Sequence, residues 1–149
     1  MAQILIIQGN LLDAPLDRVL CHQVNCQGVM GSGVAKAISN KYPVVKDEYL
    51  DFYKENKGNL LGNINIVETG KHRVINMFAQ EYYGRDRNIC YTSYEAFRSC
   101  LQEINSIFKG EKTLAFPYGI GCGLGGGKWE QIYTLMLEHC SGQVELYRL

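Results

Sequence analysis

Nine of the 16 glycines fall in two short windows. The first holds Gly28, Gly31 and Gly33; the second holds Gly119, Gly121, Gly123, Gly125, Gly126 and Gly127. Each window follows an apolar run that reads as a strand and precedes a stretch with helical periodicity. Glycine at such a junction lets backbone N–H groups approach a ligand with no Cβ in the way. The amino end of the following helix adds free donors and a partial positive charge. Two such turns that converge make a cradle for a diphosphate. The formal net charge is zero, from 15 basic and 15 acidic residues. A chain so balanced can hold a dianion on main-chain amides, and it lacks the field for a general grip on nucleic acid or an anionic membrane.

The rest of the chain alternates strand and helix. Ile4 to Ile7 reads as a buried strand ending at the Gly9-Asn10 turn, and Arg18 to Val24 as a second strand. Val34, Ala35 and Ile38 mark a helix to Lys41, and Pro43 opens the next. Asn63 to Glu68 and Arg73 to Phe78 form a hairpin about Thr69 to His72. Thr92 with Glu95 reads as a capping box. The helix it opens carries Tyr94, Phe97, Leu101, Ile104 and Phe108 as one apolar stripe. Thr113 to Phe116 is a strand stopped by Pro117. Trp129, Ile132, Met136 and Cys140 mark a last helix ended by Gly142, and Gln143 to Leu149 a last strand. At 149 residues with no linker, repeat or low-complexity block, residues 1–149 are expected to form one domain. Its class is α/β: a mixed central sheet in a three-layer α/β/α arrangement.

Six cysteines, at 21, 26, 90, 100, 122 and 140, show no CxxC pair and no Cys/His zinc spacing. The amino end has no signal-peptide pattern and no run is long enough to span a bilayer. The expectation is therefore reduced thiols in a cytoplasmic protein, with no metal and no cofactor. Two nucleotide motifs are excluded. Gly121 to Gly126 matches GxGxxG but lies too late for the βα units of a Rossmann domain. Gly127-Lys128 ends like a P-loop, yet Trp129 replaces the hydroxyl that holds magnesium and Cys122 the first glycine.

Val24-Asn25-Cys26-Gln27-Gly28-Val29-Met30-Gly31-Ser32-Gly33-Val34-Ala35, together with Pro117-Tyr118-Gly119-Ile120-Gly121-Cys122-Gly123-Leu124, resembles a macrodomain. Gly9-Asn10-Leu11-Leu12 and Leu146-Tyr147-Arg148-Leu149 fit the same family. The chain is most similar to the subgroup with terminal ADP-ribose protein glycohydrolase and the fungal ADP-ribose-1″-phosphate phosphatase. The resemblance implies a macrodomain-like fold and ADP-ribose, or a derivative, as ligand. It puts Gly31, Ser32, Gly33, Val34 and Ala35 around the diphosphate and distal ribose. Pro117, Tyr118, Gly119, Ile120, Gly121, Cys122, Gly123, Leu124 and Gly125 would close over the same groups. Asn25 would orient the distal ribose, Asn10 and Leu11 would meet the adenine edge, and Tyr147 and Leu149 would line the adenine side. Asn10 stands where many members carry aspartate.

The departures bear on catalysis. The glycohydrolase lysine has no counterpart in Asn76-Met77-Phe78-Ala79-Gln80, and Gly125 stands where it has an aspartate. A lysine-adduct mechanism is thereby excluded. Ala35 stands where another hydrolase branch has its aspartate. His22, three residues before Asn25, matches a histidine of the fungal phosphatase. Strand alternation puts His22 on the face of Leu20 and Val24, opposite Asn25, unless the strand bulges before Asn25. His72 and His139 read as solvated. Gln23, Gln27, Ser32 and Tyr118 are candidates to place water, and Arg85 and Arg87 to reach an added phosphate. The reading that results is hydrolysis of ADP-ribose 1″-phosphate with His22 and Asn25 as catalytic residues. Its rival is a non-catalytic module that reads or sequesters ADP-ribosylated macromolecules or cyclic ADP-ribose-type signals.

Overall fold

A computed structural model describes residues 2–149. Six strands form one sheet: β1 (Gln3–Gln8), β2 (Val19–Asn25), β3 (Ile64–Glu68), β4 (Arg73–Gln80), β5 (Leu114–Pro117) and β6 (Gln143–Arg148). Four α-helices connect them: α1 (Gly33–Lys41), α2 (Pro43–Glu55), α3 (Tyr94–Phe108) and α4 (Trp129–His139). The strand order is β1-β6-β5-β2-β4-β3. Neighbours run parallel except β3, which pairs antiparallel with β4 through the hairpin. Side-chain alternation along each strand feeds two cores. Cys21, Ile75, Met77 and Phe116 pack with Phe97, Leu101 and Ile104 of α3 and Ile132 and Met136 of α4. Leu20, Val24, Val74 and Phe78 pack with Ile38 of α1 and Val45 and Tyr49 of α2. The layers are therefore α/β/α, as the alternating pattern predicts.

Four expectations are corrected. The Ile4 to Ile7 strand is not buried: it is the sheet edge, and Leu5 and Ile6 are exposed. Its apolar residues are only partly covered, Ile4 toward the α3/α4 core and Ile7 toward the α1/α2 core. The cap of α3 is Ser93, whose Oγ accepts from the Ala96 amide at 3.1 Å. Thr92 is drawn off instead, donating to the Gly121 carbonyl at 2.7 Å and accepting from Gln23. The last helix ends with Cys140 as its cap, before Gly142. His72 is buried, because Tyr42 and the Leu11–Asp13 3-10 turn with Ala14 close over the hairpin. His139 is partly buried beside Glu138. All six cysteines are unpaired.

Candidate ligand cleft

β2 and β5 are parallel neighbours at the middle of the sheet, so the loops leaving their carboxyl ends lie side by side. Between them opens a cleft of about 810 Å³. Its size suits a drug-sized or dinucleotide-sized ligand. Gly31, Ser32, Gly33, Val34 and Ala35 line one wall; Pro117, Tyr118, Gly119, Ile120, Gly121, Gly123, Leu124 and Gly125 line the other. His22 and Asn25 both lie on the lining. The third wall is Gln80 at the end of β4 with Tyr83, Gly84 and Arg85. The expected residues that do not line it are Asn10, Leu11, Gln27, Arg87, Cys122, Tyr147 and Leu149. Asn10 accepts from the Leu12 amide and opens the 3-10 turn. Leu11 is buried in the α1/α2 core. Tyr147 is buried with its hydroxyl donating to Glu145, and Leu149 is exposed beyond β6. Cys122 packs toward the α3/α4 core, and burial pushes its thiol up, away from a nucleophilic thiolate.

The two loops are built differently. Gly33 opens α1 at a φ of +60°, a left-handed conformation, with open space where a Cβ would stand. Ser32 makes no side-chain cap among the described residues, so the first-turn amides of α1 stay free for a ligand. The second loop is braced from behind. A Cβ on Gly125 would stand 2.6 Å from Thr92 Oγ1 and 2.7 Å from the Gly121 carbonyl oxygen. The Gly125 carbonyl accepts from the Tyr91 and Thr92 amides, and the Gly127 amide donates to the Gly121 carbonyl. Some glycines of this loop thus serve its own folding, while Gly119 and Gly123 leave open space where a Cβ would stand.

Asn25 is held from three sides. Its Oδ1 accepts from the Gln27 amide at 3.0 Å and from the Tyr49 hydroxyl at 2.9 Å, and its Nδ2 donates to the Val29 carbonyl at 2.8 Å. One Nδ2 hydrogen remains for a ligand. The pairing of β2 with β4 shifts register between Val24 and Asn25, where β4 carries the extra residue Ala79, and His22 and Asn25 both line the cleft. His22 is 1% exposed. Burial lowers its pKa to about 4, against a smaller raising effect of its bond to Asn76, so the ring is neutral at pH 7. Gln23, also on the lining, donates to Gln80 at 2.8 Å and to Thr92 at 2.9 Å, tying β2 to β4 and to the brace of the second loop. Arg85 is the one lining side chain, among the described residues, that carries a formal charge at pH 7. Gln80 and Tyr83 escaped the sequence reading; their signal was the exit of a strand beside the one carrying Asn25.

The Macro domain family model matches residues 21–136. The chain belongs to the macro domain family. Curated relatives of this macrodomain include fungal proteins named ADP-ribose 1″-phosphate phosphatase. One from Aspergillus clavatus is 53% identical over 36 residues, 24% of this chain but 18% of that protein. One from Candida albicans is 23% identical over 127 residues, 80% of each. A solved structure of a protein of unknown function from Bacteroides thetaiotaomicron is 28% identical, with 98% of each chain covered and a TM-score of 0.85. Thermosipho africanus DarTG, solved in complex with ADP-ribose, shares the fold at a TM-score of 0.78 and 21% identity, over 97% of this chain and 41% of that one. Among the described residues, no helix is long and apolar enough to cross a membrane.

Proposed function

We propose that this macrodomain binds ADP-ribose, or a molecule carrying it, across the two glycine-rich loops and hydrolyses ADP-ribose 1″-phosphate to ADP-ribose and phosphate. The observation that carries the reading is the convergence of the two loops on one cleft, with the free amides of α1 at one wall. Those donors suit a pyrophosphate where the lining carries little formal charge. The names of the fungal relatives support the phosphomonoester as substrate. In the reaction, Asn25 holds the distal ribose through its remaining Nδ2 hydrogen. A water attacks phosphorus, the bond from phosphorus to the 1″ oxygen breaks, and neutral His22 takes the proton of the water and returns it to the departing 1″ oxygen. Arg85 meets the charge of the terminal phosphate.

The rival reading is a binding module without turnover. The near-complete burial of His22 favours it, as does a lining that, among the described residues, holds no carboxylate and no lysine. Phosphate release from ADP-ribose 1″-phosphate separates the two. Release by the native protein supports the enzyme; tight ADP-ribose binding with no release leaves the binding module. Calorimetry with ADP-ribose, AMP, ADP and NAD checks the ligand. Preference for ADP-ribose is expected, and equal affinity for all four would refute recognition of the distal ribose.

A further inference from the structure

Two buried side-chain atoms among the described residues have no hydrogen-bond partner: His22 Nδ1 and Gln23 Oε1. Both belong to residues that line the cleft. A buried polar atom left without a partner is costly, and such atoms are expected where a ligand or water completes the site. The state of His22 follows from its neighbours. Asn76, opposite it on β4, donates through Nδ2 to Asn65 Oδ1 at 2.9 Å. That bond turns Asn76 Oδ1 toward His22, where it lies 2.5 Å from Nε2. An amide oxygen only accepts, so Nε2 is the protonated nitrogen. A neutral imidazole has one N–H, which leaves Nδ1 as a bare acceptor.

We propose that Asn76, backed by Asn65, is a positioning residue that keeps the His22 proton on Nε2, so that Nδ1 receives an O–H donor of the bound sugar phosphate or of its attacking water. The proposal rests on the ligand reading above. It adds two residues from β3 and β4 that do not line the cleft, and it fixes which ring nitrogen works. His72 supplies an internal contrast. Its Nε2 donates to the Ala14 carbonyl at 2.8 Å, and its Nδ1 accepts from the Tyr42 hydroxyl at 2.6 Å, so both nitrogens are already satisfied.

Nitrogen-15 NMR of histidine-labelled protein tests this directly, since the chain has 3 histidines. His22 is expected as the Nε2–H tautomer. Saturating ADP-ribose is expected to move its Nδ1 resonance to the hydrogen-bonded position while the His72 signals stay. In Asn76→Leu the tautomers are expected to mix, and kcat for phosphate release to fall about tenfold or more with KM within about twofold. Asn65→Ala is expected to do the same more weakly, and it serves if Asn76→Leu does not fold. A native Nδ1–H tautomer, an Nδ1 resonance indifferent to bound ADP-ribose, or a pure Nε2–H tautomer in the folded variants would overturn the proposal. Binding of ADP-ribose without phosphate release would end the hydrolysis reading alone, because the tautomer and the ligand-induced shift still decide the role of Asn76. No calorimetric heat with ADP-ribose would overturn both.

Discussion

Two histidines are buried in the same core of this protein's sheet, each 1% exposed, yet they are opposite in what surrounds them. His72, in the hairpin turn just before β4, spends both ring nitrogens on the protein: one on the Ala14 carbonyl, one on the Tyr42 hydroxyl. His22, on β2, spends one on Asn76 and leaves the other without a partner at a residue that lines the cleft. Burial alone therefore does not tell these two histidines apart. The count of satisfied nitrogens does. A closed set of bonds clips segments distant in sequence together, whereas an open one holds a valence in reserve for something that arrives.

The largest expected effect breaks the pair on activity. His22→Ala should lower phosphate release by roughly 100-fold to 10,000-fold, the range for losing a general base, while ADP-ribose affinity measured by calorimetry stays within about threefold. His72→Ala, assayed as folded protein, should keep full turnover. Equal losses in the two variants would erase the distinction. The next effect reverses the order. His72→Ala strips partners from the Tyr42 hydroxyl and the Ala14 carbonyl and opens a void, so urea melts should place its cost at about 2–4 kcal/mol. His22→Ala opens a similar void but strands only Asn76 Oδ1 and removes an orphan nitrogen, so its cost should be about 1 kcal/mol lower. A His22→Ala cost exceeding that of His72→Ala would contradict the bookkeeping of satisfied atoms.

The contrast also marks what the sequence could tell. The two glycine windows were legible because glycine at a strand-to-helix junction has a local cause, and both windows do line one cleft. The layers followed from periodicity, which Phe97, Leu101 and Ile104 carry plainly on α3. His72 was misread as solvated because its two partners lie 30 and 58 residues away, beyond any local pattern. Thr92 was misread as a cap for the same reason: Gln23 and Gly121 compete for its hydroxyl, and Ser93 next door takes the capping bond. The shift in pairing at Val24 and Asn25 comes from the extra residue Ala79 on β4. It leaves no mark in the β2 residues themselves.

The last expected effect is on acid stability, and it sharpens the comparison because it depends on His22 lacking a compensating charge. Folding lowers the His22 pKa from 6.5 to about 4, through burial that the Asn76 bond only partly offsets. Between those values the unfolded chain binds the proton more readily than the folded one, so stability falls as pH falls. This contribution is complete above pH 6.5 and is lost progressively toward pH 4. From pH 7 to pH 4.5 it amounts to about 2–3 kcal/mol. Carboxylates contribute to the same acid limb. Burial pushes Glu145 up, but hydrogen bonds from Arg18 and Tyr147 hold it below the usual value, so its share is lost mainly below that window. Differencing against His22→Gln, which cannot titrate, isolates the histidine. The variant should lose less stability than the native protein over this interval, by about the amount above. Parallel losses would mean that His22 takes up its proton in the folded state as easily as in the unfolded one, which a ring buried with a single neutral partner cannot do.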